Sequence, residues 1–299
     1  MEILKNQPLV SVIVNCFNGE KFLEDCLKSI LNQTYQNWEL IFWDNYSTDN
    51  SKKIFENFED TRFKYFSSLK HAFLYEARDL AIRESKGDFI AFCDVDDYWS
   101  HEKLERLIPL FQNKKVGVAY SNQWILNDKN QKKRIHTKKL LPKGDISSNI
   151  FNRPSVTILT GIIRKKTYFN LNIGFKKQYQ IIGDLDFFVR VAKNSLFDCV
   201  QEPLATFRVH KSNFTKKNRE LEIQELENWA DDMDNLLSKK EIAYVRELIL
   251  YKKITVLNLK KKSLSTLIHV LKYPNNIKKI KLLFALLLPQ SVLEKKKEF

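Results

Sequence analysis

The chain has 299 residues, 43% of them hydrophobic, and a formal net charge of +14. These values favour a folded protein with one large domain and an appendage, and they exclude an intrinsically disordered chain. Four scattered cysteines without a CxxC pair argue against a zinc site and against a disulfide scaffold. With no signal-peptide pattern and no apolar stretch of spanning length, the sequence predicts a cytoplasmic protein.

The first hundred residues alternate between predicted strands and helices. Continuous apolar runs, rich in β-branched and aromatic residues, predict strands at 9–15, 38–44, 63–66 and 87–93. Helical spacing predicts helices at 20–33, 47–58 and 73–85, the second of them opened by Ser47 or Thr48 as N-cap. This alternation predicts an α/β domain with a mostly parallel sheet flanked by helices.

The pattern is looser after residue 100. A helix is predicted at 103–112, a strand at 116–126, an exposed basic loop at 129–143 and a strand at 157–165. A helix at 183–194 and a last strand at 204–210 follow, and the chain is predicted to be helical from about residue 216. Residues 252–299 contain twelve lysines and two glutamates, which suits partners that carry phosphate.

Polar residues follow three of the predicted strands. Asp44 and Asn45 end the second strand, Asn15 ends the first, and the sequence DVDD (94–97) follows the fourth. The carboxyl ends of parallel strands meet at one edge of a sheet, where ligands bind. The acids suit Mg²⁺ or Mn²⁺, although a solvated turn that caps the next helix is an alternative. Asn45 could read a uracil or thymine edge, or cap a helix.

Two further groups could carry chemistry. Asp184 follows a glycine at the start of an amphipathic helix, so it is either an N-cap or a general base. Asp186 is predicted to pair with Arg190 one turn along. Arg208 and His210 alternate onto one face of the last strand and could complete a metal–diphosphate site, or be structural.

Four sequence blocks in order resemble the family 2 inverting glycosyltransferases of the GT-A fold. They are VSVIVNCFNGEKFLEDCLKSILNQTYQNWELIFWDNYSTDNS, EARDLAIRESKGDFIAFCDVDDYW, GDLDFFVRV and RVH, within residues 8–215. The resemblance implies a GT-A catalytic domain at 1–215, with a nucleotide-binding half at 1–100 and an acceptor-side half at 101–215. A basic helical extension occupies 216–299.

The resemblance also implies roles for individual residues. Asp184 would be the catalytic base, and Mn²⁺ or Mg²⁺ would be bound by Asp96, Asp97 and His210. The nucleotide site would contain Phe17, Asn18, Glu20, Asp44, Asn45, Arg78, Asp94 and Arg208. Asn45 stands where the family often has Asp, so the nucleotide base of the donor is less defined. Gly183 stands where many members have Glu.

The implied activity is transfer of one sugar from a nucleotide-sugar, foremost a UDP-sugar, to a glycan or lipid-linked acceptor in polysaccharide assembly. A single transfer is expected because QELENW (224–229) lacks the arginine of the processive motif Gln-x-x-Arg-Trp. Lysine clusters beside apolar residues at 276–299 suit peripheral contact with the inner face of the cytoplasmic membrane, or a homodimer.

Two other functions compete with this interpretation. A nucleotidyltransferase would need a glycine-rich basic loop after the first strand, where NCFNGEKF has only Gly19 and Lys21. A nucleic-acid-binding protein would explain the positive charge, but the basic runs are not interleaved with aromatic residues. We therefore predict no nucleic-acid partner.

Overall fold

A computed structural model of the protein describes residues 7–148, 150, 156–233, 235–260, 264–274 and 279. Contacts divide the chain into two compact units, Met1–Val209 and His210–Phe299. The domain boundaries at residues 100 and 215 stay predictions from the sequence.

Up to residue 92, the first unit alternates strands and helices in the order that the sequence predicts, whereas the strand Tyr98–Trp99 and the helix Lys165–Phe169 were not predicted. Its strands are β1 (Val10–Cys16), β2 (Trp38–Asp44), β3 (Phe63–Ser67), β4 (Phe89–Phe92), β5 (Tyr98–Trp99), β6 (Val116–Asn127), β7 (Lys133–Ile135), β8 (Gly161–Arg164) and β9 (Leu196–Val209). Its helices are α1 (Leu23–Leu31), α2 (Ser51–Glu56), α3 (Leu74–Arg83), α4 (Lys103–Leu107), a 3₁₀ helix (Ile108–Gln112), α5 (Lys165–Phe169) and α6 (Gly183–Ala192).

Within the described residues, the strands form one mixed sheet in the order β3-β2-β1-β4-β8-β6-β9-β5, with β7 beside β6. The pairs β1–β2, β1–β4 and β2–β3 are parallel, as predicted. The second half differs, because β8 runs antiparallel to both β4 and β6. β6 and β9 are parallel to each other, so β9 ends at the same edge of the sheet as β1, β2 and β4.

Alternation along β1 explains how α1 is held against the sheet. Val12 and Val14 lie on one face of the strand and share a buried cluster with Leu23 and Leu27 of α1. All seven residues of β1 and of β2 are buried, as their continuous apolar sequences predict for strands covered on both faces.

Two helices differ from the prediction at their boundaries. Residues 103–112 form α4 followed by the 3₁₀ helix, because Pro109 lacks the N–H that an uninterrupted α-helix needs. α2 begins at Ser51 with Asn50 as N-cap, so the prediction of Ser47 or Thr48 was wrong. The Ser47 N–H instead donates to Asp44 Oδ1 over 2.8 Å.

Three segments in the second half of the sheet also differ. The strand predicted at 157–165 is confirmed only at 161–164, because α5 starts at Lys165. β9 begins at Leu196, well before the predicted start, since Pro203 interrupts the apolar pattern where the pairing with β6 shifts register. Part of the loop predicted at 129–143 is a strand, β7, which pairs with β6.

The second unit is helical, as predicted. It contains α7 (Phe214–Lys217), α8 (Arg219–Asp232), α9 (Lys239–Lys260) and α10 (Leu264–Leu271). Lys252 of α9 pairs with Glu222 of α8 at 2.7 Å. Apart from residue 279, the basic segment 276–299 lies outside the described residues. Among the helices that are described, none combines the length and hydropathy needed to cross a membrane.

Glu39 joins all four strands of the parallel half at the edge opposite their carboxyl ends. In β2, its carboxylate accepts from Ser11 Oγ of β1 at 2.7 Å, from Lys64 Nζ of β3, and from the Lys86 N–H before β4 at 2.5 Å. Burial alone would raise the pKa of Glu39, but these donors together lower it below the ordinary value of 4.5. The ionised form therefore stabilises the fold.

We expect Glu39→Gln to lower the free energy of unfolding at pH 7 by about 1–3 kcal/mol, since hydrogen bonds to a charged group are replaced by weaker ones. Because the native pKa is depressed, this stabilisation is present above the unfolded pKa and is lost as the pH falls through the native pKa. Urea unfolding between pH 3 and 7 should show a smaller acid-induced loss in Glu39→Gln than in wild type. Glu24→Gln, at an exposed helical pair with Lys28, is the control; equal pH profiles for Glu39→Gln and wild type would contradict the prediction.

Candidate active site at the carboxyl edge of the sheet

The strand register brings three loops together, as predicted. The Asn45 N–H donates to the Cys16 carbonyl over 2.8 Å, which joins the ends of β1 and β2. The Cys93 N–H donates to the Ile13 carbonyl over 3.0 Å, which places the DVDD segment beside β1. A turn then forms where the Asp97 N–H donates to the Asp94 carbonyl over 2.9 Å.

The loop after β1 is fixed by the loop after β2. The Asn18 N–H donates to Ser47 Oγ and the Gly19 N–H to Ser51 Oγ, both at 3.0 Å. Asn18 adopts a left-handed conformation with φ 52°, which asparagine tolerates better than most residues. A Cβ on Gly19 would lie 2.5 Å from Val95 Cγ2, so only glycine allows this loop to approach the DVDD turn.

Glu20, on the loop after β1, is exposed. Its Oε2 accepts from both the Asn50 N–H at 3.0 Å and Asn50 Nδ2 at 2.9 Å. The carboxylate thus satisfies a donor at the start of α2. Glu20 therefore supports the start of α2, and its contact with the nucleotide stays a prediction.

Asp44 and Asn45 are buried, and their polar atoms are engaged within the protein. Asp44 accepts from the Ser47 N–H at 2.8 Å and from the Tyr65 hydroxyl at 2.7 Å. The Asn45 carboxamide accepts from the Ala72 N–H at 3.0 Å and donates to the Ala72 carbonyl at 2.7 Å. Both functions of the Asn45 carboxamide thus hold the 68–72 segment, and reading of a base edge by Asn45 stays a prediction.

Aromatic rings remain exposed at the same edge. Phe17 is 48% exposed, and its ring lies 4.2 Å from that of His71, centroid to centroid. Tyr46 is 54% exposed and has a positive φ of 72°. The sequence analysis named Phe17 but missed Tyr46 and His71, because the contribution of a loop side chain depends on the path of the loop.

Arg78 supplies the cation that the DVDD carboxylates require. Its guanidinium is 1% exposed, and Nη2 donates to Asp94 Oδ1. The guanidinium also lies 5.1 Å from the Tyr75 ring centroid and 5.7 Å from that of Phe92. Arg78 thus holds Asp94, and its predicted position beside the nucleotide base stays a prediction.

The remaining acids of DVDD have different environments. Asp97 is 1% exposed, and its Oδ1 accepts the Arg208 N–H at 2.8 Å. Burial, together with Asp96 and Asp94, raises the pKa of Asp97 well above its usual range. Asp97 therefore holds β9 against the turn, and its role as a metal ligand stays a prediction. Asp96 is only partly buried.

Arg208 lies beside the DVDD turn. Its Nε donates to the Asp96 carbonyl at 3.0 Å, and its Nη2 pairs with Asp25 Oδ2 at 2.9 Å. The guanidinium also contacts the Phe22 and Tyr98 rings, with centroids at 4.8 and 5.3 Å. This places a fixed positive charge next to Asp96, as its predicted role near a diphosphate requires.

Asp184 lies in the first turn of α6, where Oδ1 accepts the Leu185 N–H at 2.8 Å. The Tyr75 hydroxyl lies 3.4 Å from the same oxygen and donates to the Ile181 carbonyl at 3.0 Å. The N-cap is Ile182, without a side-chain bond, so Asp184 does not cap the helix. Burial raises the pKa of Asp184, partly offset by Arg78.

Gly183 and Tyr75 fit each other. A Cβ at Gly183 would lie 2.6 Å from the Tyr75 ring, so the aromatic ring occupies the space that any other residue would need. The sequence analysis missed Tyr75, although its spacing three residues before Arg78 puts both on one face of α3. The predicted pair of Asp186 and Arg190 is confirmed, at 2.6 Å.

His210 is the first residue of the second unit. Its N–H donates to Asn213 Oδ1 at 2.7 Å, and its ring lies within 3.0 Å of polar atoms of Ser212 and Asn213. Its predicted role as a metal ligand stays a prediction.

The residues present fit a divalent ion that is shared with a substrate. In the described part of the chain, no three His, Cys, Asp or Glu side chains group closely enough to hold a metal by themselves. Asp94 and Asp96 offer hard oxygen atoms at a partly exposed turn. Mg²⁺ and Mn²⁺ are commonly held in this way, by one or two carboxylates and the phosphates of a substrate.

Curated relatives match part of the chain. WfgD of Escherichia coli, named UDP-Glc:alpha-D-GlcNAc-diphosphoundecaprenol beta-1,3-glucosyltransferase, is 36% identical over 120 residues, which cover 40% of this chain and 47% of WfgD. Glycosyltransferase GlyG of Streptococcus pneumoniae is 35% identical over 118 residues, or 39% of each chain. The chain thus spans about half the length of the curated relatives it matches, or less.

Solved structures share the fold. TarS of S. aureus (residues 1–349), in complex with UDP-GlcNAc, superposes with a TM-score of 0.66 at 17% identity, covering 87% of this chain and 78% of TarS. Mannosyltransferase PcManGT of Pyrobaculum calidifontis, in complex with GDP-Man and Mn²⁺, gives 0.64 at 15% identity, with coverage of 93% and 79%. These likenesses confirm the predicted GT-A fold.

The family model for glycosyl transferase family 2 matches residues 11–188, which include all of β1 but Val10, the DVDD turn and Asp184. This match covers more than half of the chain and confirms the resemblance stated from the sequence. The protein belongs to glycosyl transferase family 2.

Proposed function

We propose that the protein is a metal-dependent, inverting glycosyltransferase that moves one sugar from a UDP-sugar to a hydroxyl of a lipid-linked or glycan acceptor. The observation that carries this proposal is the position of Arg78 between two carboxylates. It pairs with Asp94 on the DVDD turn, and its charge also acts on Asp184 of α6. A donor-side acid and a candidate base on different elements therefore interact with one buried cation.

The proposed reaction uses these residues in distinct roles. A divalent ion held by Asp94 and Asp96 would offset the charge that develops on the leaving diphosphate. Asp184 accepts the proton of the acceptor hydroxyl, whose oxygen forms a bond to the anomeric carbon. The bond from that carbon to the diphosphate oxygen breaks, and the electron pair leaves with UDP. One displacement inverts the anomeric centre.

The proposed donor and acceptor rest on the exposed aromatic rings at the site and on the ligands and names of similar proteins. The exposed rings of Phe17 and Tyr46 offer faces on which a base can stack. TarS is solved with UDP-GlcNAc, and the name of WfgD specifies UDP-Glc and a diphosphoundecaprenol-linked acceptor. We extend this chemistry to our chain, with a UDP-sugar as donor and a lipid diphosphate-linked acceptor at the inner face of the cytoplasmic membrane. Membrane contact through 276–299, or a homodimer, belongs to the same proposal.

The first test is a donor screen with Mn²⁺ that measures nucleoside diphosphate release from UDP-, dTDP- and GDP-sugars. We expect release from UDP-sugars that EDTA abolishes. Asp96→Ala should lose the metal-dependent release, because the remaining carboxylate binds the ion less well. Asp184→Asn should lower turnover by about 10²–10⁴-fold, the usual contribution of a general base, and should retain UDP–Mn²⁺ binding.

Asp198→Asn is the matched control for Asp184→Asn. Asp198 Oδ1 accepts the N–H of the following residue over 2.8 Å, as Asp184 Oδ1 does. Wild-type turnover is expected for the control. Undiminished turnover in Asp184→Asn would remove Asp184 as the base, and stabilisation by GDP rather than UDP in thermal unfolding would contradict the proposed donor.

The second test concerns the pH dependence of the reaction. Because the pKa of Asp184 is raised by burial, we expect kcat/KM to fall on acidification at a higher pH than for an ordinary aspartate. The Tyr75 hydroxyl lowers the pKa of Asp184, so Tyr75→Phe should move this acidic limb to still higher pH. The measurement is kcat/KM against pH for both proteins.

Tyr120→Phe is the control, because its buried hydroxyl also donates to a backbone carbonyl, that of Pro142. A lower kcat/KM with an unmoved acidic limb in Tyr75→Phe would mean that the tyrosine only supports the fold. The same shift in Tyr120→Phe would mean that it is not local to Asp184.

A further inference from the structure

A cavity lies in the first unit, at the edge of the sheet opposite the DVDD turn. It has a volume of about 510 Å³ and lies where β6 and β9 begin, at Val116 and Leu196. Arg208 is near the other end of β9, so the length of this strand separates the cavity from the candidate active site. The lining includes five cationic side chains and one acid: Lys114, Lys115, Arg164, Lys166, Lys193 and Asp145.

Three of the five cations that line this cavity lack an acidic neighbour among the described residues, whereas Asp145 interacts with Lys193 and Asp88 with Arg164. Elsewhere in the unit, lysines pair with acids, as Lys21 does with Asp128 at 3.0 Å and Lys176 with Asp186 at 3.3 Å. Counting only described residues, Lys114, Lys115 and Lys166 have no acidic side chain within 4.0 Å. Cations grouped in this way repel one another, and an anion between them would remove the repulsion.

One cation of the cavity is held in a fixed position. Arg164 Nε donates to the Val116 carbonyl at 3.2 Å, and Nη2 donates to the Phe111 carbonyl at 2.9 Å. Its guanidinium also lies 5.2 Å from the ring centroids of Phe89 and Phe111. A cation that is already ordered loses little conformational freedom when it binds an anion.

Two hydroxyl groups beside Gly117 add neutral hydrogen-bond donors to the lining of the cavity. A Cβ at Gly117 would lie 2.7 Å from Ser195 Oγ and 2.9 Å from Thr167 Oγ1, so glycine lets both hydroxyls approach β6. Both residues line the cavity. Hydroxyl and ammonium donors together suit the oxygen atoms of a phosphate.

We propose that this basic cavity is a binding site for a phosphate-bearing anion, distinct from the site at the DVDD turn. Its volume is within the range of about 300–1,000 Å³ that is usual for sites of small molecules. The ligand chemistry is a phosphate or diphosphate group, carried either by a free compound or by an anionic lipid headgroup. The proposal does not depend on the proposed transferase activity.

The experiment uses the full chain in EDTA without nucleotide-sugar, so that metal-dependent binding at the DVDD turn does not contribute. Isothermal titration with inorganic pyrophosphate is compared for wild type, the cavity variant K114Q/K166Q/K193Q and the control K129Q/K138Q/K139Q. The control loses the same charge from exposed lysines in the 129–143 run. Thermal unfolding verifies that both variants are folded.

We expect saturable binding to wild type and control, and about tenfold or weaker affinity in the cavity variant, since charge-assisted hydrogen bonds are lost. Co-sedimentation with phosphatidylglycerol vesicles, compared with phosphatidylcholine vesicles, shows whether the phosphate group belongs to a lipid headgroup or to a free compound. Loss of sedimentation only in the cavity variant indicates a headgroup, and equal sedimentation of all three proteins indicates a free compound. No saturable pyrophosphate binding by wild type, or equal weakening in both variants, would overturn the proposal. Neither result would affect sugar-donor turnover, which is measured separately.

Discussion

The ion pair between the buried Arg78 and the partly exposed Asp94 is the interaction on which the candidate site depends. A guanidinium that is 1% exposed requires a fixed counter-charge, and Asp94 at the end of β4 provides it. The same guanidinium lies against the Tyr75 ring, and its charge reaches Asp184. One cation on α3 thus connects the strand that carries the acids with the helix that carries the candidate base.

Three carboxylates within four residues are tolerated because each has a different environment. Asp94 is paired with Arg78, and Asp97 is buried and accepts the Arg208 N–H, where burial favours its protonated form. Asp96 remains partly exposed beside the Arg208 guanidinium. The turn therefore presents a small number of oxygen atoms to a ligand without an uncompensated buried charge.

The two edges of the sheet differ in charge and in proposed partner. The edge at the carboxyl ends of the strands carries acids, and we assign it to a metal and a donor diphosphate. The edge where β6 and β9 begin carries Lys114, Lys115 and Lys166, which have no acidic partner among the described residues, and a fixed Arg164. We propose that this edge binds a separate phosphate group. Because parallel strands keep these edges apart, one sheet can hold both sites.

The sequence by itself determined the first half of the fold and the location of the site. Continuous apolar runs define β1, β2 and β4, and parallel strands necessarily bring Asp44, Asn45 and the DVDD acids to one edge. The four sequence blocks, found in the expected order along the chain, indicated the family. The sequence did not predict three features: the direction of β8, the early start of β9 and the division of 103–112 into two helices. The first two depend on partner strands, and the third depends on Pro109.

Only the tertiary structure decided what each polar side chain does. The sequence placed Asn45, Glu20 and Asp97 at the site but could not show that Ala72, Asn50 and Arg208 already engage them. It also could not reveal Tyr75 beside Asp184, because that contact joins residues 109 positions apart. Local pattern determines which edge a residue reaches, whereas hydrogen-bond partners are set by segments that meet only when the chain is folded.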